Sequence, residues 1–282
     1  MPTSSHRTLR NVAAYGAVMV GAAVAGYLDT FTRFEYYDDE GYIALSVKEF
    51  VGGGALYSDV YSQYGPFPYE LWGSLFALTG EQVTTNSIRL ITVAIWVAIT
   101  LTAGITVHRL TGRLALGLVA ALAAFAAADT ITAEPLHPDA LVALLVLAVA
   151  AAAVLGERHP RAAMAVTGAL LAAAILTKVN VGGLAIAAVA FAVATTVPAL
   201  ARTRLLAPLI AVACIALPLV LMALDLQEEW AQNFALAVAF GMVALTIVAL
   251  RAFPRAGAPA APGTGSLVVL VAAFGGAVIL IA

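Results

Sequence analysis

Three consecutive carboxylates, Asp38, Asp39 and Glu40, stand in the stretch YYDDEGYIA of a chain in which only 11% of residues are charged. Adjacent carboxylates repel one another, and a site between lipid and protein raises the pKa of at least one of them. A carboxylate tuned in this way can act as a general base. The simpler interpretation is a solvated helix start, in which Asp38 caps a helix that begins near Asp39. Both interpretations are open at this point.

Further polar residues stand at the ends of apolar segments. His137 and Asp139 lie in TAEPLHPDAL, Lys178 lies in ILTKVNVGG, and Arg89 opens a segment that begins SIRL. Asp139 could simply cap the next helix. Lys178 could extend along the lipid towards water, or it could face an anionic lipid headgroup, and Arg89 could do the same.

The elements that position these residues are apolar helices. The chain is 62% hydrophobic with a mean hydropathy of +0.98, and helix is the only structure such segments can adopt in lipid. The predicted fold is an all-α polytopic membrane protein, because apolar runs of about 17–25 residues can cross the bilayer. We predict nine transmembrane helices, at 12–31, 87–107, 114–129, 139–155, 162–177, 183–200, 205–224, 232–250 and 266–282.

Charge predicts the orientation of these spans. Ten basic residues fall at one face: Arg7, Arg10, Arg109, Arg113, Arg158, Arg161, Arg202, Arg204, Arg251 and Arg255. The positive-inside rule makes this face, and the N-terminus, cytoplasmic. Every acidic residue except Glu157 falls at the opposite face. A tenth span at 66–80 would reverse the later loops, but it is too short and is expected to be an interfacial or re-entrant helix.

The long first outer loop, about 32–86, is predicted to begin with a short amphipathic helix on the membrane surface. Ile43, Val47 and Phe50 recur at helical spacing, whereas Ser46, Lys48 and Glu49 are expected to face elsewhere. Three glycines at 52–54 should end this helix.

An aromatic stretch, ALYSDVYSQYGPFPYELWG, follows in the same loop. It is typical of an aromatic belt at the headgroup layer. The alternative is a platform for a sugar, because the ring faces of Tyr57, Tyr61, Tyr64, Tyr69 and Trp72 can stack on a pyranose.

Several motifs are missing from the sequence. It has no Walker-type phosphate loop, no HExxH, no clustered histidines and no GxSxG. These absences argue against an ATP-driven pump and a zinc intramembrane protease. Acidic residues in the middle of spans are also missing, which weakens a transporter interpretation. The single Cys214 excludes an intramolecular disulfide, and a net charge of −2 gives no indication of nucleic acid.

The order DDEGY, GGGALYSDVYSQYGPFPYELWGSLFALTG, SIRL, LHPDAL and LTKVNVG resembles the GT-C membrane glycosyltransferases, particularly the protein O-mannosyltransferase and aminoarabinose-transferase group. The resemblance covers roughly residues 12–200. It implies that Asp39 is the catalytic base, with Glu40 as its acidic partner and Asp38 as a substitute. It implies that the donor phosphate is bound by Lys178, Arg89 and His137. It implies that the substrate is bound by Asp139, Tyr61, Gln63 and Tyr64.

The resemblance implies transfer of a sugar, with inversion, from a polyprenyl-phosphate donor to an acceptor hydroxyl at the non-cytoplasmic face. It implies no cofactor, and a divalent metal has no support because the related transferases largely manage without one. Expected partners are the donor, an unknown acceptor (protein, lipid or glycan) and membrane lipids, with no nucleic acid; a second subunit is expected if the chain is one part of a complex. The expected location is a prokaryotic plasma membrane. Alternatives are a transporter or flippase of lipid-linked sugars and a non-catalytic membrane subunit.

We expect three segments: a GT-C-like transmembrane catalytic module at 1–253, a flexible Ala- and Pro-rich linker at 254–265, and a last transmembrane helix at 266–282. The family usually has more spans and often a soluble domain. A fragment, a compact member and a chain that needs a partner therefore all stay open.

Overall fold

The computed structural model describes residues 4–32, 40–131, 134–156, 159–196, 206–252 and 264–281. Over these ranges the secondary structure is helical, apart from one isolated bridge between Leu56 and Val60. The helices are α1 (Ser4–Thr32), α2 (Glu40–Val51), α3 (Phe67–Thr79), α4 (Thr85–Thr111), α5 (Leu114–Ile131), α6 (Pro138–Leu155), α7 (Pro160–Ile175), α8 (Val179–Thr196), α9 (Leu206–Leu221), α10 (Glu229–Ala252) and α11 (Thr264–Ile281). The predicted all-α class is confirmed.

Each predicted span overlaps one of these helices over the residues that the structure describes. Among the residues that the structure describes, three helical segments are long and apolar enough to cross a membrane: Thr8–Thr32, Thr85–Thr111 and Pro138–Leu155. Five other apolar helical segments are shorter, at Leu114–Thr130, Pro160–Ile175, Val179–Ala194, Pro208–Leu221 and Val268–Ile281. A membrane protein is therefore supported, whereas the number of crossings stays a prediction.

Helix α4 lies at the centre of the first half of the bundle, in contact with α1, α2, α5 and α6. Its Trp96 is fully buried. Helix α1 runs antiparallel to it, since Tyr15 donates a hydrogen bond to the Gly104 carbonyl while Phe31, sixteen residues later, lies 5.8 Å from the Arg89 guanidinium. Helices α4 and α5 form a hairpin whose backbones approach at Gly104 and Gly117, where a side chain would meet the opposite carbonyl. Small residues allow such close crossings in membrane bundles.

The second half of the bundle continues from α6 through α7 to α8. Helix α11 packs closely along α7, and Gly168 lies against the backbone of α11 at Leu270 and Phe274. Helices α8, α9 and α10 pack in sequence, with a small core of Phe191, Ala211 and Cys214 separate from the main core.

Helices α2 and α3 pack together over the end of the bundle where α4 begins. Ile43 and Val47 are buried and Phe50 packs against the same core, so the predicted apolar face of α2 is confirmed. The prediction that Ser46 faces away from the buried side of α2 is wrong. Ser46 is also buried, because the 55–66 loop covers it, and its hydroxyl lies 3.5 Å from the Tyr61 carbonyl.

Helix α3 corresponds to the rejected tenth span. Its 13 residues extend roughly 20 Å at 1.5 Å per residue, less than the roughly 30 Å of hydrocarbon in a bilayer. It begins after Pro66 and ends at Gly80, whose positive φ of 69° suits a residue without a Cβ. These dimensions agree with the prediction of a short helix outside the set of spans.

The end of the bundle that carries α2, α3, the start of α4, the α5–α6 turn and the α7–α8 turn is called the site end below. Acidic residues gather there, as Glu40, Glu70, Glu134 and Asp139 show, whereas Arg109, Arg113 and Arg161 lie at the opposite end. This separation agrees with the predicted charge pattern. Which end faces the cytoplasm stays a prediction.

Candidate functional site

Glu40 and Arg89 form a buried ion pair at the site end. Arg89 Nε lies 2.6 Å from Glu40 Oε1, and Nη2 lies 2.6 Å from Oε2, so the guanidinium binds the carboxylate through two parallel bonds. The two side chains are 17% and 6% exposed. Such paired charge-assisted bonds fix geometry as well as charge. The first turn of α2 is thereby attached to the first turn of α4.

Thr92, one turn further along α4, holds the α5–α6 turn. This threonine is fully buried; its hydroxyl donates to the Ile88 carbonyl at 2.9 Å and accepts from the Leu136 amide at 2.7 Å. Leu136 has a φ of +63°, a conformation that costs energy for a residue with a branched side chain. Its side chain is only 2% exposed, so burial and the Thr92 bond together hold the turn in this form.

The α5–α6 turn, bound by Thr92, places His137 in contact with Tyr64. The His137 Nδ1 accepts a hydrogen bond from the Asp139 amide at 3.2 Å and so caps α6. In a neutral ring with Nδ1 as acceptor, Nε2 carries the proton and donates it to the Tyr64 hydroxyl, 2.9 Å away. The expectation that Asp139 caps α6 is therefore wrong: Pro138 takes the first helical position, and His137 supplies the cap.

Asp139 instead binds Lys178. Lys178 Nζ lies 2.6 Å from Asp139 Oδ1, with the side chains 29% and 27% exposed. The second carboxylate oxygen lies 3.6 Å from His137 Nδ1, and Glu134 lies 3.9 Å from Nε2 of the same ring. His137 therefore lies between two carboxylates and the Tyr64 hydroxyl.

Backbone bonds close the network between the 55–66 loop and the α7–α8 turn. The Gly65 amide donates to the Thr177 carbonyl at 3.1 Å, and the Phe67 amide donates to the Leu176 carbonyl at 3.1 Å. A Cβ on Gly65 would overlap the Leu176 carbonyl oxygen, so only glycine permits this approach. Tyr64 and Lys178, next to the bonded residues, are thus held on either side of His137 and Asp139.

Tyrosines line the outer surface of this loop. Tyr57 and Tyr61 are 58% and 69% exposed, although Tyr57 donates to the Tyr64 carbonyl and the Tyr61 carbonyl accepts from Tyr42. Tyr57 has a φ of +69° inside a tight turn in which Asp59 accepts from the Ala55 amide.

Burial raises the pKa of two tyrosine phenols in this region. For Tyr69, which is 3% exposed, desolvation is the largest cause, and desolvation also raises the pKa of Tyr57. Both phenols therefore stay neutral at physiological pH and can donate hydrogen bonds, but they are poor candidates for a general base.

The structure brings together most of the predicted site residues that it describes. Arg89, His137, Asp139, Lys178 and Tyr64 gather at the site end with Glu40, and Gln63 and Tyr61 are exposed on the adjoining loop. Asp38 and Asp39 lie outside the described residues.

Sequence reasoning missed Thr92, Leu136 and Gly65. Of these three, only Gly65 could have been found from the local sequence, because a glycine followed by a proline indicates a turn. Nothing local indicated the contact between Thr92 and a turn 44 residues away.

The described residues contain no group of three or more His, Cys, Asp or Glu side chains arranged to hold a metal ion. Glu134, His137 and Asp139 are neighbours, but Lys178 binds Asp139 Oδ1, and the Asp139 amide and the Tyr64 hydroxyl bind the two ring nitrogens of His137.

Comparison of the chain with protein-family models, with curated proteins and with solved structures finds no match in any of the three. The resemblance to GT-C enzymes therefore rests on the sequence motifs, and the function proposed below rests on those motifs together with the geometry of the site end.

Proposed function

We propose that the protein is a membrane glycosyltransferase that moves a sugar from a polyprenyl-phosphate donor to an acceptor hydroxyl at the site end. The observation that carries the proposal is the convergence of two cation–carboxylate pairs, Arg89 with Glu40 and Lys178 with Asp139, from four separate elements. A lipid-linked phosphate needs cations at a membrane surface, next to apolar helices. The motif order that resembles GT-C enzymes falls on these same residues.

In this reaction we assign Asp39 as the general base. The acceptor oxygen attacks the anomeric carbon while Asp39 takes the hydroxyl proton, and the bond between the anomeric carbon and the phosphate oxygen breaks. Polyprenyl phosphate leaves with the bonding electrons, and the anomeric centre inverts. Cations near the leaving phosphate stabilise the charge that develops on it, most effectively in a site from which water is excluded.

Glu40 has a different role from Asp39. Because both its oxygens are bound by Arg89 and its side chain is 6% exposed, Glu40 is suited to position residues rather than to accept a proton. It follows Asp39 directly in the chain and is itself attached to α4 through Arg89. Asp38 is the reserve candidate for the base.

Both cations carry a carboxylate partner, so a phosphate must join or replace these contacts. Lys178 and Asp139, being more exposed than Arg89 and Glu40, form the pair that exchanges more readily. We assign Lys178 as the cation that binds the leaving phosphate, with Arg89 as a second cation further from it. His137 is assigned to donate a hydrogen bond to the phosphate or to the acceptor.

The test is a transfer assay with purified protein in liposomes and a radiolabelled polyprenyl-phosphate sugar. Asp39→Asn should lower turnover by roughly 10²–10⁴-fold, the usual contribution of a positioned base. Glu81→Gln is the matched control, because Glu81 is exposed at the same end outside the network, and it should retain full activity. Full activity of Asp39→Asn would reject the assignment of the base. Absence of glycosidic-bond formation by wild type with a panel of donors and acceptors would reject the proposed reaction.

A further inference from the structure

The 55–66 loop presents two tyrosine rings at the surface of the site end. Of the aromatic side chains that the sequence offers for a sugar platform, Tyr69 and Trp72 are buried in the main core. Tyr57 and Tyr61 are instead more than half exposed. Their exposed rings are called the tyrosine surface below.

The same loop buries its large aliphatic side chains. Val60 is fully buried, and Leu56 packs against the main core. A segment that inserts into lipid exposes apolar side chains on one face, whereas the exposed positions in 55–66 hold tyrosine, alanine, serine, aspartate and glutamine. The outer side of the loop is therefore suited to a polar ligand rather than to hydrocarbon.

Tyr57 has a backbone conformation that a residue with a Cβ adopts only at a cost. Its φ of +69° lies in the left-handed region, which glycine adopts without strain. Strained residues of this kind concentrate at functional sites, where the surrounding structure holds them. Because glycine would relax the turn, the position is explained by the side chain of Tyr57 rather than by its backbone.

Both rings are held in place by bonds to neighbouring residues. The Tyr57 hydroxyl donates to the Tyr64 carbonyl at 2.9 Å, so the exposed part of Tyr57 is mainly ring. In an aromatic belt the polar tip of a tyrosine faces the headgroups and water instead. Tyr61 is fixed by Tyr42, whose hydroxyl donates to the Tyr61 carbonyl at 3.0 Å and whose ring centroid lies 6.2 Å from that of Tyr61.

The tyrosine surface adjoins the polar network of the site end. Tyr57 is bonded to the carbonyl of Tyr64, and the hydroxyl of Tyr64 lies 2.9 Å from His137 Nε2. The next residue, Gly65, is bonded to the α7–α8 turn that carries Lys178. A molecule that lies on the tyrosine surface is therefore next to the residues assigned to the reaction.

The chemistry around the rings fits an uncharged pyranose sugar. The C–H groups on one face of a pyranose carry partial positive charge, and the negative face of an aromatic ring attracts them. The hydroxyl groups of a sugar need donors and acceptors, which the exposed side chains of Ser58, Asp59 and Gln63 provide. The negative charge of Asp59, in the same turn as Tyr57, opposes an anionic ligand.

We propose that the acceptor of the transferase is an uncharged glycan and that one of its pyranose units stacks on Tyr57 and Tyr61. The inference rests on the proposed function, because it names the class of the acceptor. Rings that are already fixed lower the ordering cost of binding. Tyr57 and Tyr61 hold the acceptor and take no part in proton transfer.

Saturation-transfer NMR tests the binding step without a donor, on protein in lipid nanodiscs. The probes are neutral trisaccharides of glucose, galactose, mannose and N-acetylglucosamine, with the trimer of galacturonic acid as an anionic comparison. Wild type should bind at least one neutral trisaccharide more tightly than the anionic trimer. Tyr61→Ala and Tyr57→Gly should each weaken that binding roughly tenfold, the order expected for loss of one aromatic contact.

Three controls separate loss of the ring from loss of the fold. Tyr57→Phe retains the ring and should bind nearly as tightly as wild type. Tyr57→Gly should melt close to the wild-type temperature, because relief of the strained turn offsets the lost hydrogen bond. Trp230→Ala removes an exposed aromatic side chain outside the loop and should bind like wild type.

Three results would overturn the inference. One is that wild type binds no neutral trisaccharide of the panel, and another is that binding is unchanged in both Tyr57→Gly and Tyr61→Ala. The third concerns a spin label at Ser58→Cys, in a Cys214→Ala background. If oxygen reaches this label more readily than a water-soluble nickel chelate does, the loop lies in the bilayer as an aromatic belt.

Failure of the acceptor class and failure of the reaction give different results. Transfer to a peptide or a lipid by a protein that binds no trisaccharide would reject the glycan acceptor and retain the reaction. Trisaccharide binding that depends on Tyr57 and Tyr61, without glycosidic-bond formation from any donor, would reject the reaction and retain the tyrosine surface as a sugar site.

Discussion

The guanidinium of Arg89 binds both carboxylate oxygens of Glu40, each at 2.6 Å, although the two residues are 49 positions apart in the chain. The pair joins the first turn of a surface helix to the first turn of the central helix. An isolated charge is costly at such a buried position, and each side chain removes that cost for the other. The start of α2, which follows the two aspartates directly, therefore depends on Arg89 for its place.

We predict that Glu40→Gln destabilises the attachment of α2. Removal of one charge from a buried pair leaves the other uncompensated and typically costs about 3–5 kcal/mol. The melting temperature in detergent should fall, and hydrogen exchange of the amides at the start of α2 should accelerate. Glu49→Gln, an exposed change on the same helix, should alter neither quantity. Equal effects of the two substitutions would show that the pair does not hold α2.

We predict that Gly65→Ala separates the 55–66 loop from the α7–α8 turn. The added methyl group would overlap the Leu176 carbonyl oxygen, a rigid backbone atom that cannot move aside cheaply. Two backbone hydrogen bonds, from Gly65 and Phe67, would then be lost or lengthened. A cysteine pair placed at Gln63 and Val179 should cross-link with a short bifunctional reagent in the parent and more slowly in Gly65→Ala.

The control for Gly65→Ala is Gly41→Ala. Gly41 lies in α2 with open space around the added methyl group, and alanine is the better helix former by about 1 kcal/mol. This variant should melt at the same temperature as wild type or higher. If Gly65→Ala also melts like wild type and cross-links at the parental rate, the close approach at Gly65 does not organise the site end.

The sequence predicts the helices well and their polar contacts poorly, for a physical reason. Long apolar segments and the charges between them determine roughly where helices begin and end, so each predicted span overlaps a helix over its described residues. The identity of the partner of a charged residue depends on packing between distant segments. The sequence placed Arg89, Asp139 and Lys178 near one end, but it could not indicate that Arg89 binds Glu40 or that Lys178 binds Asp139.

Local patterns also mislead where a neighbouring element covers a surface. Ser46 is expected to face away from the apolar side of α2, yet it is buried because the 55–66 loop lies over it. Pro138 takes the first helical position of α6, so the imidazole of His137 takes the capping position instead of Asp139. A contact from another element decides the environment of Ser46, whereas the identity of the residues that precede Asp139 decides the cap.

We predict that Thr92 holds His137 in place through the Leu136 amide. Thr92→Val has nearly the same shape but leaves the buried Leu136 N–H without its acceptor, which typically costs about 1–3 kcal/mol. Without that hydrogen bond, the positive φ of Leu136 is less strongly stabilised, so the turn should relax. The 2.9 Å contact between His137 and Tyr64 should then lengthen or break. Thr92→Ser retains the hydroxyl and should restore the native turn while losing only a methyl group.

The measurement that separates positioning from general stability is the environment of His137 rather than the melting temperature. Two-dimensional NMR of protein labelled with ¹⁵N-histidine should show a changed Nε2 signal for His137 in Thr92→Val and a native signal in Thr92→Ser. Tyr64→Phe, which removes the hydroxyl directly, gives the signal expected when the contact is absent. A native His137 signal in Thr92→Val, alongside a lowered melting temperature, would make Thr92 a packing residue with no control over the site.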